Sequence, residues 1–174
     1  FVYSFSCPPV FEWVRDTDPE LFSEIRRRVK EGRWHLVEGW WLQPDPNVAS
    51  GESYCRQGLE GQRYLERIFG RRSSTCFNTD SFGHNAQLPQ ILAKAGIRWT
   101  VFSRPSQNQL PLPGPLFRWE GIDGSSVLAF RAGGDGANQY SFTLDKDAPA
   151  AAAEMERLGH DVLEHRPDLM FVEF

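Results

Sequence analysis

Thr75-Cys76-Phe77-Asn78-Thr79, followed by Asp80-Ser81-Phe82-Gly83-His84-Asn85, is the stretch on which the fold reading turns. Its first five residues suit an extended strand, and Asp80 to Asn85 read as the turn that ends it. A helix is expected from about Ala86 to Ala95, closed by Gly96, and Ile97 to Ser103 reads as the next strand. Strand, turn, helix and strand in that order argue for parallel strands with a helix packed on them.

The same alternation extends outward in both directions. Phe1 to Ser6 reads as a short buried strand, with Cys7-Pro8-Pro9 as its stop. Asp18-Pro19-Glu20 has the marks of a helix start: an N-cap acid, Pro at N1 and an acid in the first turn. Leu21, Phe22, Ile25 and Val29 then share one face, and Gly32 ends the helix. Trp34 to Val37 is a strand candidate, and Glu38 to Ala49 a loop rich in Gly, Pro and Asn. Ser50 caps a helix running to Phe69, with Tyr54, Cys55, Leu59, Leu65, Ile68 and Phe69 expected inward and Gly70 as the stop. Downstream, Arg104 to Pro115 carries prolines 105, 111, 113 and 115 and must be an extended loop. Leu116–Trp119 and Ser126–Arg131 read as a hairpin turning near Asp123-Gly124. A Gly-rich loop over 132–139, a helix over 146–165 and a strand over 169–174 complete the pattern. The expected fold is α/β: a mostly parallel sheet or incomplete α/β barrel with flanking helices, plus an inserted β-hairpin. The chain opens at Phe1 rather than Met, and both ends run through strands, so it reads as a piece of a larger domain.

Composition bounds the function. The chain has 174 residues, 40% hydrophobic and 24% charged, enough to bury a core. A net charge of −4 argues against nucleic acid as a partner. No apolar run approaches the roughly 18 residues of a transmembrane helix, so no membrane partner is expected. Cys7, Cys55 and Cys76 form no CxxC pair and read as buried thiols of a reducing, cytoplasmic setting.

Ligands of open α/β sheets and α/β barrels bind beyond the carboxyl ends of the strands, which directs attention to Asp80. Placed between a strand end and a helix N-terminus, its carboxylate would be held ionised, as a nucleophile or a hard-metal ligand must be. An Asp here can equally well just cap the helix. His84 would share a helical face with Asp80 only if the helix were continuous, which Gly83 opposes; hydrogen bonding to loop backbone is its more ordinary role. Glu52 and Arg56 read as an intrahelical ion pair, and Trp40 and Trp41 chiefly as core with sugar stacking as the alternative. Gly133-Gly134-Asp135-Gly136 lacks the Lys-Ser/Thr of a phosphate loop.

Taken in order, several segments resemble the N-terminal catalytic domain of glycoside hydrolase family 38 α-mannosidases. They are Gly32-Arg33-Trp34, Gly39-Trp40-Trp41, Pro44-Asp45, Asn47, Ser50-Gly51-Glu52-Ser53 with Arg56-Gln57, and Asp80-Ser81-Phe82-Gly83-His84. Leu88 to Leu92, Lys94-Ala95-Gly96, Phe117 to Ser125 and Arg166 to Met170 continue the series. The resemblance implies a partial N-terminal catalytic α/β domain over residues 1–174, truncated at both ends. It implies a retaining glycosidase that removes terminal α-linked mannose with zinc assistance, with Asp80 as nucleophile and as one zinc ligand. It further implies Phe82, Arg104 and Tyr140 at the substrate, and a mannoside or mannose-containing oligosaccharide as partner. Members of the family often assemble, so a homo-oligomer is compatible with the resemblance. The family's His-x-Asp zinc pair is absent from the sequence. The general acid and the remaining ligands are expected outside the chain. The fragment alone is therefore expected to be inactive and zinc-free. A different metal-dependent carbohydrate hydrolase, deacetylase-like, and a non-catalytic sugar-binding remnant are the alternatives.

Overall fold

The computed structural model describes residues 2–132 except 79, 107, 113 and 115, together with Pro149, Ala152, Ala153 and Glu156. The chain divides into two units, 1–132 and 133–174, and the strands and numbered helices belong to the first. The Gly-rich loop after Ala132, Tyr140 and the expected last strand lie outside the described residues. The four described residues of the expected long helix are helical.

β1 (Tyr3–Ser4) pairs in parallel with β2 (Trp34–His35) in a two-stranded sheet. The expected burial of β1 does not hold, because Val2 and Tyr3 are exposed. Tyr3 instead lays its ring edge-on to Trp34, with centroids 4.7 Å apart. Between the two strands run α1 (Pro8–Thr17) and α2 (Pro19–Lys30). Pro8-Pro9, expected as a stop, opens α1. Proline has no N–H to leave unsatisfied in a first turn, so it starts helices as readily as it ends strands. α2 begins as expected: the Asp18 carboxylate accepts the Leu21 N–H at 2.9 Å. Phe22, Ile25 and Val29 pack with Phe11, Leu36, Tyr64 and Leu65 into one core cluster.

α3 (Gly51–Phe69) is capped by Ser50, whose hydroxyl accepts the Ser53 N–H, and ends at Gly70, whose φ of 71° few other residues would adopt. Its inward face differs from the expected one. Cys55 and Leu59 are exposed, while Gly58, Gly61 and Gln62 are buried with Tyr54 and Leu65. The cause is Trp40, which is fully buried and passes across the helix at the two glycines. A β-carbon on Gly61 would collide with the Trp40 main chain, and one on Gly58 would lie 3.1 Å from its indole. An apolar count over the helix sees Leu59 and overlooks a face made by missing side chains.

β3 (Thr75–Phe77), β4 (Trp99–Phe102), β5 (Leu116–Glu120) and β6 (Ser126–Arg131) form a second sheet in the order β3-β4-β6-β5. β3, β4 and β6 run parallel, and β5 is the antiparallel edge. β6 therefore belongs at once to the hairpin and to the parallel sheet, so the hairpin extends the sheet as well as interrupting the alternation. The Asp123 carboxylate closes its turn by accepting from the N–H and hydroxyl of Ser125. α4 (Leu88–Lys94) packs against this sheet through Leu88 and Leu92, which join Trp40, Tyr54, Cys76, Ile97 and Val127 in the second core cluster. The described strands form no closed barrel.

Replacing Gly61 by Ala sets two effects against each other. Ala favours an exposed helix by about 1 kcal/mol over Gly, while forcing an extra carbon into a packed contact costs about 1–3 kcal/mol. Because the clash is with backbone, the cost wins, and Gly61→Ala lowers stability in denaturant titration. Gly51→Ala, which meets nothing within 4 Å, leaves stability unchanged or raised.

Candidate functional site

The parallel register of β3 on β4 builds the site. Phe77 lies opposite Val101. The pairing continues one step, with the Asn78 N–H donating to the Val101 carbonyl at 2.9 Å. Asp80 stands three residues beyond Phe77 and Arg104 three beyond Val101, so both leave the same edge of the sheet side by side. The Arg104 Nη1 is 3.5 Å from Asp80 Oδ1. The Asp80 side chain is 68% exposed and that of Arg104 36%, so the carboxylate is open to an incoming ligand while the guanidinium is partly sheltered. Phe82 lies outward, 75% exposed, with the Arg104 Cζ 4.7 Å from its ring centroid. A cation over an aromatic face is attracted by the ring's quadrupole, which helps align the guanidinium. Asp80, Phe82 and Arg104, three of the expected site residues, thus form one cluster. Tyr140, the fourth, lies outside the described residues.

Asp80 does not sit at a helix N-terminus. α4 begins only at Leu88, later than the expected Ala86, and residues 81–87 are irregular, with a bend at Phe82 and a turn at Ala86-Gln87. Asn85 accounts for the delay: its carbonyl accepts the Leu88 N–H and its side chain accepts the Gln87 N–H. Arg104, rather than a helix dipole, is the positive group that meets the carboxylate.

Beneath the turn is a buried polar network that the sequence did not announce. Asn78 is fully buried, accepts the Trp40 indole N–H at 3.1 Å, and donates to Tyr54 Oη (3.2 Å) and Ser81 Oγ (3.0 Å). Tyr54 Oη in turn donates to the Pro44 carbonyl. One asparagine therefore ties the residue after Asp80 to α3 and to the loop that follows β2. Trp40 is core, as its indole packing against Tyr54 shows. The only available signal for Asn78 was an amide at a strand end, which is too common to single out.

His84 bonds loop backbone: its Nε2 lies 2.8 Å from the Arg104 carbonyl. Its ring packs against Phe102 and Trp119, with centroids 4.7 and 5.9 Å away. Burial lowers its pKa, against which the bond to the Arg104 backbone pulls weakly upward. Among the described residues no three His, Cys, Asp or Glu side chains converge where a metal could sit. Zinc takes three or four protein ligands, so Asp80 does not suffice to hold it, and the described residues do not by themselves fit the ion.

Glu38 follows β2 much as Asp80 follows β3. Its φ of 81° is left-handed, a conformation that costs about 1 kcal/mol or more for a residue with a side chain. Burial pushes its carboxyl up to about 8; burial, with a smaller contribution from the Glu38 charge, also raises the pKa values of the Cys7 and Cys76 thiols. These thiols stay protonated and poor as nucleophiles near neutral pH. A groove between α3 and α4, lined by Gly58, Leu59, Gln62, Gln90, Ile91 and Lys94, contains none of the clustered residues. The strand-end shelf is the better candidate, because convergent polar groups rather than concavity alone mark a site.

Solved structures share this fold. An α-mannosidase from Enterococcus faecalis V583 superposes with a TM-score of 0.72 at 20% identity, covering 92% of this chain and 18% of that one. A 4-alpha-glucanotransferase from Thermococcus litoralis superposes at 0.69 and 17% identity, covering 90% and 24%. At these identities they define the fold alone. The family follows from sequence: residues 1–158 match the model of the glycosyl hydrolases family 38 N-terminal domain, and the chain belongs to that family. Alpha-mannosidase G of Dictyostelium discoideum is 40% identical over 129 residues, 74% of this chain and 12% of its own length. Human alpha-mannosidase 2C1 is 38% identical over 136 residues, 78% and 13%. The chain thus spans about an eighth of the length of these relatives. No described helix is long and apolar enough to cross a membrane.

The raised carboxyl of Glu38 has a defined consequence. A folded pKa near 8, above the ordinary carboxylate value near 4.3, means that the folded chain binds the extra proton between the two. Its contribution is complete below about 4.3 and is lost as pH rises through about 8. Glu38→Gln therefore flattens the stability profile between pH 5 and 8, as urea titrations at a series of pH values will show.

Proposed function

We propose that this chain carries the nucleophile of a retaining α-mannosidase and the first part of its sugar site. The observation that carries the reading is the exposed Asp80 carboxylate with the Arg104 guanidinium 3.5 Å away and the Phe82 ring beside them, all at one strand edge. Membership in family 38, and relatives named as α-mannosidases, supply the substrate class.

Asp80 Oδ attacks the anomeric carbon of a terminal α-linked mannose as the glycosidic bond breaks, giving a glycosyl-enzyme ester. A second carboxyl group protonates the departing oxygen, then takes a proton from the water that hydrolyses the ester. Retaining enzymes hold these carboxyls about 5–5.5 Å apart. Arg104, 3.5 Å away, holds the Asp80 carboxylate in place, and Phe82 offers a flat apolar face to the sugar. Tyr140 completes the proposed substrate contacts. Zinc belongs to the proposal only with ligands beyond Asp80. The second carboxyl and those ligands are not among the described residues; the chain by itself is proposed to be inactive. Residues 1–174 are accordingly proposed as part of an N-terminal catalytic domain. Three cysteines without disulfides support a reducing, cytoplasmic setting.

In the full-length enzyme Asp80→Ala lowers hydrolysis of an aryl α-mannoside by at least about 1,000-fold, the scale expected when a covalent nucleophile is lost. A fluorinated mannosyl fluoride labels the peptide containing Asp80, as mass spectrometry will establish. Full activity of Asp80→Ala rejects the reading. Release of acetate from acetylated sugar with glycosidic bonds intact would point to a deacetylase instead.

A further inference from the structure

We infer that His84 is a positioning residue: its imidazole holds the main chain of Arg104 so that the guanidinium reaches Asp80 and covers Phe82. The inference rests on the reading of Asp80 as nucleophile.

β4 stops at Phe102, whose carbonyl accepts the Ala132 N–H at 2.8 Å. Arg104 lies two residues further, past the end of the strand. The loop that follows has its own anchors. Ser106 bonds the Gln109 side chain, and the buried Arg131 donates from Nη1 to the Leu110 carbonyl at 2.8 Å. His84 meets the Arg104 carbonyl through Nε2. A carbonyl only accepts, so Nε2 carries the hydrogen. Nδ1 is then a bare acceptor, buried and without a partner among the described residues. Leaving a buried ring nitrogen unsatisfied costs free energy that a phenyl ring in the same place would avoid. The imidazole offsets that cost only through the bond its other nitrogen makes, the one to Arg104.

Phe102 and Trp119 wedge the ring, and burial disfavours its charged form, so the neutral donor is the form present near neutral pH. The ring is therefore a stiff strut rather than a titrating group. It stands on the same turn as Asp80 and Phe82, four and two residues further along the chain. The strut thus couples the turn after β3 to the first residues after β4. A guanidinium at the end of a long flexible side chain lies where its main chain places it. Loss of the strut loosens the main chain that sets the 3.5 Å approach to Asp80 and the 4.7 Å approach to Phe82.

The test uses the full-length enzyme and an aryl α-mannoside. His84→Leu keeps the volume but not the donor, and misplacement of this scale lowers kcat/KM by about 100-fold. His84→Gln can bring an amide N–H to the position of Nε2 and restores most of the activity; His84→Asn is too short and does not. In an Arg104→Ala background His84→Leu has little further effect, because the residue it positions is gone. Equal losses in both backgrounds, a Gln variant as impaired as Leu, or full activity of the Asn variant would each overturn the inference. Should His84→Leu fail to fold, the Gln and Asn pair still decides. An inert Asp80→Ala enzyme alongside multiplicative His84 and Arg104 losses rejects the strut alone; a fully active one rejects the nucleophile reading.

Discussion

The parallel pairing of β3 with β4 is the constraint on which the rest depends. A parallel ladder in fixed register carries equal offsets on neighbouring strands to the same height. Phe77 opposite Val101 therefore delivers Asp80 beside Arg104, residues far apart in sequence. A slip of one residue would turn Cys76, fully buried, to the other face and separate the two charges. The packing behind the ladder prevents that slip. Cys76, Leu88, Leu92 and Ile97, which stands just before β4, form one cluster, so α4, β3 and the approach to β4 lose apolar burial together if the register moves.

Two polar groups, the buried Asn78 and the half-buried His84, extend this control from the sheet to the turn. Asn78 works from below, holding Trp40, Tyr54 and Ser81 through three hydrogen bonds. His84 works from the side, against the Arg104 carbonyl. Buried polar groups of this kind are costly when unpaired and specific when paired, because each bond defines one geometry. Asp80 itself remains exposed. The arrangement separates rigidity from access: the supports are sheltered to differing degrees and the carboxylate is open.

The first core cluster plays a different part. Phe11, Phe22, Ile25, Val29, Tyr64 and Leu65 bind α1, α2 and α3 together beside the two-stranded sheet. Trp40 joins that region to the site, since its main chain lies on Gly61 of α3 and its indole reaches Asn78. Glu38, two residues before it, takes a left-handed backbone and a buried carboxyl at the same corner. The chain turns sharply there to bring Trp40 onto the helix.

The sequence alone determined those features that depend on neighbours in the chain. Asp18 with Pro19, and Ser50 with Gly70, mark the ends of α2 and α3 because capping is a contact within a few residues. The alternation of strands and helices carries the α/β class, and the ordered motifs carry the family. The Asp80 turn is found by its position after a strand. Other features are not legible. Pro8-Pro9 serves a strand end and a helix start equally well, so α1 cannot be read from it. The buried face of α3 is made of glycines that Trp40 requires, which no helical period of apolar residues can show. The contacts of Asn78 and His84 and the approach of Arg104 to Asp80 are visible only in the tertiary structure, because they join residues from different elements. Local chemistry can say that a carboxylate ends a strand; only the register of the sheet decides what stands beside it.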